Sequence, residues 1–412
     1  MKTFDIPIIY RSPLINAIKK KRKKEDRRKK DFSPTLLDFG PVQILLARHF
    51  GFCYGVENAI EIAFKTLEEN PGKRVFLLSE MIHNPHVNNN LKERGIRFIM
   101  DTSGRQLIPW EAIGREDIVI IPAFGTTLEI EEQLGTIGVD SSKYNTTCPF
   151  VERVWNKAAS IGEKVYTVII HGKPRHEETR ATFSHSNSHT PTLVIRDMDE
   201  AKLLGDIILG KLPEEKFYDY FQGQYSHGFD VHKDLIRVGV VNQTTMLANE
   251  TQGISDHIRS VMTEKFQLTD ETVLQHFADT RDTLCYATND NQHAVTEMLK
   301  QPSDLALVVG GYNSSNTSHL VELCERNMPT YFISSEEKIL SRETISHWDL
   351  TDKEEKITSP FLPAVARPVR IALTSGASCP DALVENVIRK LLAFYGLSGQ
   401  IEEKILQYDT AG

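Results

Sequence analysis

Cys53, Cys148 and Cys285 lie far apart in this 412-residue chain, yet each ends an apolar or cap-forming run and precedes a helical pattern. Thiolates are soft ligands for zinc and iron, and a helix N-terminus favours the negative charge that such a ligand carries. The three positions therefore read as one metal site drawn from three parts of a fold. No C-x-x-C pair occurs, which excludes a zinc ribbon or a ferredoxin-type loop. Three thiolates on a [4Fe-4S] cluster leave one iron open, and an open position suits chemistry on a substrate rather than electron transfer alone. The competing reading makes the cysteines small buried hydrophobes in a reducing compartment. Cys324, within the helical run Leu320 to Glu325, fits that second reading. Cys379, in Ser375-Gly376-Ala377-Ser378-Cys379-Pro380-Asp381, stands at another strand-to-helix turn and stays open as a fourth ligand of a closed structural zinc site.

Neutral donors gather at similar turns. Leu307 to Tyr312 runs into Asn313-Ser314-Ser315-Asn316-Thr317-Ser318, and Ile371 to Thr374 runs into Ser375 to Ser378. Hydroxyls and amides at helix starts are anion sites and suit a diphosphate. Asn242-Gln243-Thr244-Thr245 ends a third strand pattern in the same way. Two histidine-bearing turns, His83-Asn84-Pro85-His86 and His171 to Thr179 with His176, Glu177 and Glu178, place imidazole and carboxylate at strand ends, where α/β folds bind ligands and transfer protons. His185 and His189 have a metal-compatible spacing, but the polar segment around them reads as a loop.

The elements that must position these turns are short apolar runs alternating with helical patterns: Arg74 to Leu78, Ile118 to Pro122, Val165 to Ile170, Leu193 to Ile195, Ile236 to Val241, Leu305 to Val309, Pro329 to Ile333 and Val369 to Leu373. Such alternation predicts an α/β fold with mostly parallel sheets. Cys53 falls between Ile44 to Leu46 and a helix carrying Val56, Ala59, Ile60 and Ala63; Pro149 suits the first helical position after Cys148. The expected segments are a basic extension at 1–40, lobes at 41–144, 145–279 and 280–395, and a tail at 396–412. An aromatic-rich insertion at 211–233 is expected to pack over a domain surface, since its charge is not basic enough for base stacking.

Composition narrows the function. No run of about 18 apolar residues and no signal-peptide pattern occur, so neither a membrane span nor secretion is supported. Neither a G-x-G dinucleotide fingerprint nor a P-loop is present. The formal charge of −8 combines a basic first segment with an acidic body: residues 1–40 hold 12 Lys/Arg against 5 Asp/Glu. Lys19 to Lys30 could touch nucleic acid or an acidic partner; a solvated, flexible or helical tail is the plainer reading. Deletion of residues 1–35 is then expected to spare enzymatic activity.

Gly51-Phe52-Cys53-x-Gly55-Val56, His83-Asn84-Pro85-His86-Val87, Thr147-Cys148-Pro149, His176-Glu177-Glu178-Thr179, Gln243-Thr244-Thr245, Cys285-Tyr286-Ala287-Thr288, Asn313-Ser314-Ser315-Asn316 and Ser375-Gly376-Ala377-Ser378-x-Pro380-Asp381 resemble, in order, the 4-hydroxy-3-methylbut-2-enyl diphosphate reductase family, over about residues 42 to 395. The resemblance implies three similar α/β lobes around a central iron–sulfur cluster. It also implies reductive dehydroxylation of the allylic diphosphate to isopentenyl and dimethylallyl diphosphates, the last step of the methylerythritol phosphate route. One [4Fe-4S] cluster with an open iron would be held by Cys53, Cys148 and Cys285, with Cys379 a bystander. Diphosphate ligands would fall on His83, His176, Ser314, Asn316 and Ser378, with Ser315 nearby; Thr244 would contact the substrate hydroxyl and Glu178 would deliver the proton. Compact members have His-Pro-Glu where this chain has His176-Glu177-Glu178, so the choice between the two glutamates stays open. They also carry an imidazole at Phe124, and the chain resembles the long cyanobacterial or plastid form. A ferredoxin or flavodoxin donor and a bacterial cytoplasmic location, ahead of a plastid stroma, are implied; nucleic acid and membrane partners are not.

Overall fold

The computed structural model describes residues 4–28, 30–278 and 283–410. Lys29 of the basic run and Asp282 of the turn before Cys285 lie outside the described residues. Contacts group the chain into one unit of residues 1–61, 82–89 and 286–412 and another of 62–81 and 90–285.

The first unit is built on a seven-stranded sheet in the order Thr35–Asp38, Val42–Leu46, Val369–Ser375, Leu305–Val309, Thr330–Ile333, Ile345–Asp349, Glu354–Thr358. The four strands from Val42–Leu46 to Thr330–Ile333 run parallel and the outer ones antiparallel. The central strands are buried almost throughout, which is why they read as unbroken apolar runs rather than alternating ones. Val42–Leu46 pairs in register with Val369 to Leu373. The strand before Cys53 thus belongs to the sheet of the third predicted lobe, and the contiguous boundaries 41–144 and 280–395 give way to a chain crossover. Periodicity identifies strands; it does not identify their neighbours.

The first and last helices both join this core. Ser12 caps the helix Pro13–Glu25, its hydroxyl accepting from the Ile15 amide at 2.9 Å and bonding to the Glu385 carboxylate. Leu14, Ile15 and Ile18 of that helix are fully buried, as is Ile401 at the start of the last helix, Gln400–Thr410. The basic extension, expected as a solvated, flexible or helical tail, is thus helical over Pro13–Glu25 and packed on the core. Within the basic run, Lys19 pairs with Asp381 at 2.8 Å, and Arg22 is buried with its guanidinium donating to Thr35 Oγ1 (2.9 Å) and to the carbonyls of Leu46 (3.2 Å), Ala47 (2.9 Å) and Arg48 (2.8 Å). One planar fork thus satisfies the chain end of Val42–Leu46 just before the Cys53 turn. Arg22→Ala is expected to cost about 3–5 kcal/mol of stability, because three carbonyls lose their donor in the interior. Arg22→Lys, a point charge without the fork, should recover little, and deletion of residues 1–35 should unfold this unit rather than spare it. Urea denaturation followed by circular dichroism decides; an unchanged midpoint contradicts the clamp.

The second unit holds two three-stranded parallel sheets. Val75–Leu77 lies between Arg97–Phe98 and Ile118–Ile120, and Thr167–His171 lies between Thr192–Ile195 and Val238–Asn242. Val165, expected in a strand, sits instead in the turn after the helix Pro149–Gly162 with φ +60°. The 211–233 insertion goes further than surface packing: Phe217 and Phe221 are fully buried against Leu193, Ile195, Leu204 and Ile258, and Phe217 stacks on Phe229 at 5.0 Å. His185 lies on the helix Glu177–Asn187, not in a loop, and stacks on Trp155 at 3.7 Å with Nε2 3.1 Å from the Thr126 carbonyl. Among the described residues no helix is long and apolar enough to cross a membrane.

Candidate functional site

In the first unit the sheet delivers two of its strand ends to a common cradle. After Leu305–Val309, Ser314 caps the helix Ser315–Glu325, its Oγ accepting from the Thr317 amide at 3.3 Å. After Val369–Ser375, the turn Gly376 to Ser378 approaches that cap: the Ala377 amide donates to Asn316 Oδ1 at 2.9 Å, and the Ser378 hydroxyl lies 3.5 Å from Ser314 Oγ. Ser378 Oγ also donates to the His83 carbonyl at 3.1 Å. A Cβ at Gly311 would strike that carbonyl, so glycine is what lets the His83 turn close on the cradle. Asn316 is held further by Asn291 Nδ2 at 3.4 Å and reaches Thr288 Oγ1 at 3.5 Å. His83, Ser314, Ser315, Asn316 and Ser378, five of the six predicted anion ligands, are thus buried together in one unit, and none of the hydroxyls or amides carries charge.

Cys53 stands beside this cradle. It is half-buried at the start of the helix Tyr54–Glu69, its amide donating to the Ala377 carbonyl at 3.2 Å and its carbonyl accepting from Glu57 at 2.9 Å. Gly51 reaches the turn at φ +78°, and a Cβ there would meet the Lys19–Asp381 pair. Tyr10 packs edge-on against Phe52 at 5.8 Å and Phe4 against Tyr54 at 5.0 Å, so the N-terminal segment holds the residues on both sides of Cys53. The Tyr54 amide donates to the Tyr286 hydroxyl at 3.1 Å, a support that the residue pattern gave no reason to expect.

The second unit brings together the other predicted residues. Cys148 is the N-cap of Pro149–Gly162, with proline at the first helical position as expected, and its amide donates to the Ala123 carbonyl at 3.0 Å. The Cys285 amide donates to the Thr244 carbonyl at 3.3 Å. Thr244 in turn grips Glu178, with its amide 2.5 Å from Oε1 and its hydroxyl 3.0 Å from Oε2. Glu177, the alternative proton donor, is taken up by the Ser79 hydroxyl. Glu178 is also the carboxylate whose charge acts on the Cys148 thiol. His176 caps the helix Glu177–Asn187, its Nδ1 accepting from the Glu178 amide at 3.2 Å, which leaves the proton of the neutral ring on Nε2. Phe124 meets the His176 ring edge-on at 5.7 Å.

Gln243, one neutral group among several in the residue pattern, ties this half of the site together. Its Oε1 accepts from the Lys173 amide (3.1 Å) and the Thr179 hydroxyl (3.0 Å), and its Nε2 donates to Thr245 Oγ1 at 2.7 Å. The turn carrying Thr244 is thereby fixed to the turn carrying Glu178. The signal was present in the order of the residues: an amide with donor and acceptor ends, flanked by hydroxyls at a strand terminus.

Helix position alone implied a stabilised thiolate at Cys148. The balance is the reverse: burial pushes the thiol up to about 11, and the negative charges of Cys285 and Glu178 push the same way, against two backbone amides that favour the thiolate. Desolvation outweighs the helix terminus. In the metal-free chain the proton therefore stays on through neutral pH, and alkylation of Cys148 by iodoacetamide is expected to keep rising toward pH 11. Residue-resolved mass spectrometry checks this; a plateau near the ordinary thiol value of about 8.5 contradicts it. Cys379 is fully enclosed in the sheet core and its thiol is pushed up still further by burial, and Cys324 is likewise enclosed. Neither presents sulfur to the residues above.

Among the described residues no three His, Cys, Asp or Glu side chains are grouped to hold a single metal ion. The fit to an iron–sulfur group rests on donor chemistry within each unit: in the first, a half-buried thiol at a turn beside neutral hydroxyls; in the second, two half-buried thiols, one of them under the charge of the buried Glu178. A cationic iron beside Cys148 would offset the negative charge gathered there.

A profile of the LytB protein family matches residues 44–392. Over 355 residues the chain is 42% identical to a 4-hydroxy-3-methylbut-2-enyl diphosphate reductase from Picosynechococcus sp., covering 86% of this chain and 85% of that one. A protein of the same description from Gloeobacter violaceus is 37% identical over 384 residues, covering 90% and 89%. Among solved structures, the E-1-hydroxy-2-methyl-but-2-enyl-4-diphosphate reductase of Plasmodium falciparum matches with a TM-score of 0.61 at 21% identity, covering 86% of this chain and 88% of that one. That last likeness speaks for the fold.

Proposed function

The chain belongs to the LytB family, whose members are iron–sulfur oxidoreductases, and from that membership we propose that it reduces 4-hydroxy-3-methylbut-2-enyl diphosphate to isopentenyl and dimethylallyl diphosphates. The reaction takes two electrons and two protons, breaks the allylic C–O bond and releases water. The observation that supports the proposal is the Thr244–Glu178 pair, a hydroxyl bonded to a buried carboxyl group whose charge reaches the Cys148 thiol, the chemistry a departing hydroxyl needs.

Cys53, Cys148 and Cys285 are the residues proposed to hold the cluster as a [4Fe-4S] group with one open iron. When bound, it supplies electrons one at a time and a Lewis-acidic position for an oxygen ligand. Ser314, Ser315, Asn316 and Ser378 fix the diphosphate with neutral donors, aided by His83 and His176. Neutral donors hold the anion in place without a lysine competing for the cluster's negative charge. Thr244 orients the substrate hydroxyl, and Glu178 gives its proton to the leaving oxygen. The electrons would come from a one-electron carrier of the ferredoxin or flavodoxin class, in a bacterial cytoplasm.

Reconstituted anaerobically with iron and sulfide and given reduced viologen, the chain is expected to convert the hydroxylated allylic diphosphate into both five-carbon diphosphates. A colourless protein, or an iron-loaded one that leaves the substrate untouched, contradicts the proposal.

A further inference from the structure

Behind the anion-facing end of the helix Ser315–Glu325 stands a line of groups that the reaction has not used. His319 is buried, with Nδ1 2.9 Å from Glu322 Oε2 and Nε2 3.5 Å from Ser315 Oγ. The three residues follow the i, i+4, i+7 spacing of one helix face. They lead from the cradle of Ser314, Asn316 and Ser378 to a carboxylate that is 37% exposed.

We propose that His319 is the positioning and charge-supplying residue of this cradle: diphosphate binding is coupled to protonation of His319, which turns the Ser315 hydroxyl toward the ligand. The proposal rests on the reading of the cradle as the diphosphate site. Glu322 only accepts, so Nδ1 carries a hydrogen in either state of the ring. In the neutral ring, Nε2 can only accept. Ser315 must then point its single O–H at the imidazole, and its lone pairs face the cradle. In the cation, Nε2–H donates to Ser315 Oγ and releases the hydroxyl hydrogen to the anion. Only the second arrangement lets Ser315 offer an anion a donor, and it sets a positive charge one hydrogen bond behind it. Ligand and proton therefore favour each other's binding, by the same factor in each direction.

The surroundings leave Glu322 as the charged group bonded to the ring. The helix packs on Leu305–Val309 and Thr330–Ile333, whose titratable side chain is Tyr331, and beside Tyr286–Leu299, which carries Tyr286, Asp290, His293 and Glu297. Cys324 and Glu325 share its own helix, and Asp349 acts on Glu325. Affinity for diphosphate is accordingly expected to rise as the pH is lowered and to fall as it is raised.

Inorganic diphosphate titrated calorimetrically into the cluster-loaded full chain, anaerobically and in buffers of different ionisation heat, counts the protons taken up. The comparison with H319Q subtracts the ligand's own protonation. The wild type is expected to take up about one proton more per diphosphate than H319Q does, and H319Q to bind roughly tenfold more weakly with a flatter pH dependence. E322Q keeps the imidazole without its counter-charge and should take up less than the wild type; it also serves if H319Q fails to fold. Equal proton uptake in wild type and variants overturns the role of His319 and leaves the cradle reading standing. No diphosphate bound by the wild type overturns both.

Discussion

Glu178→Gln is expected to lower turnover by roughly 10²–10⁴, the range for a positioned proton donor, while cluster absorbance and diphosphate affinity stay near those of the parent. The amide keeps the shape of the side chain, and its oxygen can still accept from Thr244, which donates through both its amide and its hydroxyl. What it loses is the acidic proton. Glu177→Gln should be far milder for turnover, because Glu177 is held by Ser79. Rates at saturating substrate and reductant decide between them. Near-normal turnover in E178Q, or a larger loss in E177Q, would move the donor's role elsewhere.

The second large effect is expected from the thiols. Replacing Cys53, Cys148 or Cys285 by serine should strip most of the iron and visible absorbance and lower activity by on the order of 10²-fold or more, since even groups that only support a metal ligand are worth 10–100-fold. The hydroxyl is a harder and poorer ligand than the thiolate. Cys324→Ser and Cys379→Ser place a hydroxyl in an apolar core and should lose some stability, yet keep iron and colour in the molecules that fold. Iron and sulfide analysis of the five variants separates the two groups. Full cluster content in any of the first three would remove that cysteine from the ligand set.

The strands were legible because their burial on both faces writes itself as continuous Val, Ile and Leu, and Leu305–Val309 appears within the very limits that its residues suggest. The helix starts at Cys53, Cys148 and Ser314 were legible from caps, proline and spacing. The hairpin of Ile345–Asp349 and Glu354–Thr358 was not, since its outer strand is charged and largely exposed and the inner one has no apolar run to announce it. A helix was among the readings of the basic segment, but its docking on the core was hidden by its own lysines. Its docking face is Leu14, Ile15, Ala17, Ile18 and the buried Arg22, few enough to be lost in the charge around them. Glu177 and Glu178 are neighbours in sequence but point about 100° apart on a helix, so only the fold selects the one that meets Thr244. The thiol of Cys148 shows the limit of a single-cause argument: position at a helix start was readable, whereas the burial that outweighs it depends on distant chain.

The most direct test of the account is to run the reduction anaerobically in D₂O and locate the deuterium in the products. Reductive dehydroxylation with protons delivered inside the site places one solvent hydrogen on carbon and one in the released water. Isopentenyl and dimethylallyl diphosphates, each with a single deuterium on carbon, are the predicted result. Recovered substrate, or five-carbon products without carbon-bound deuterium, would contradict it.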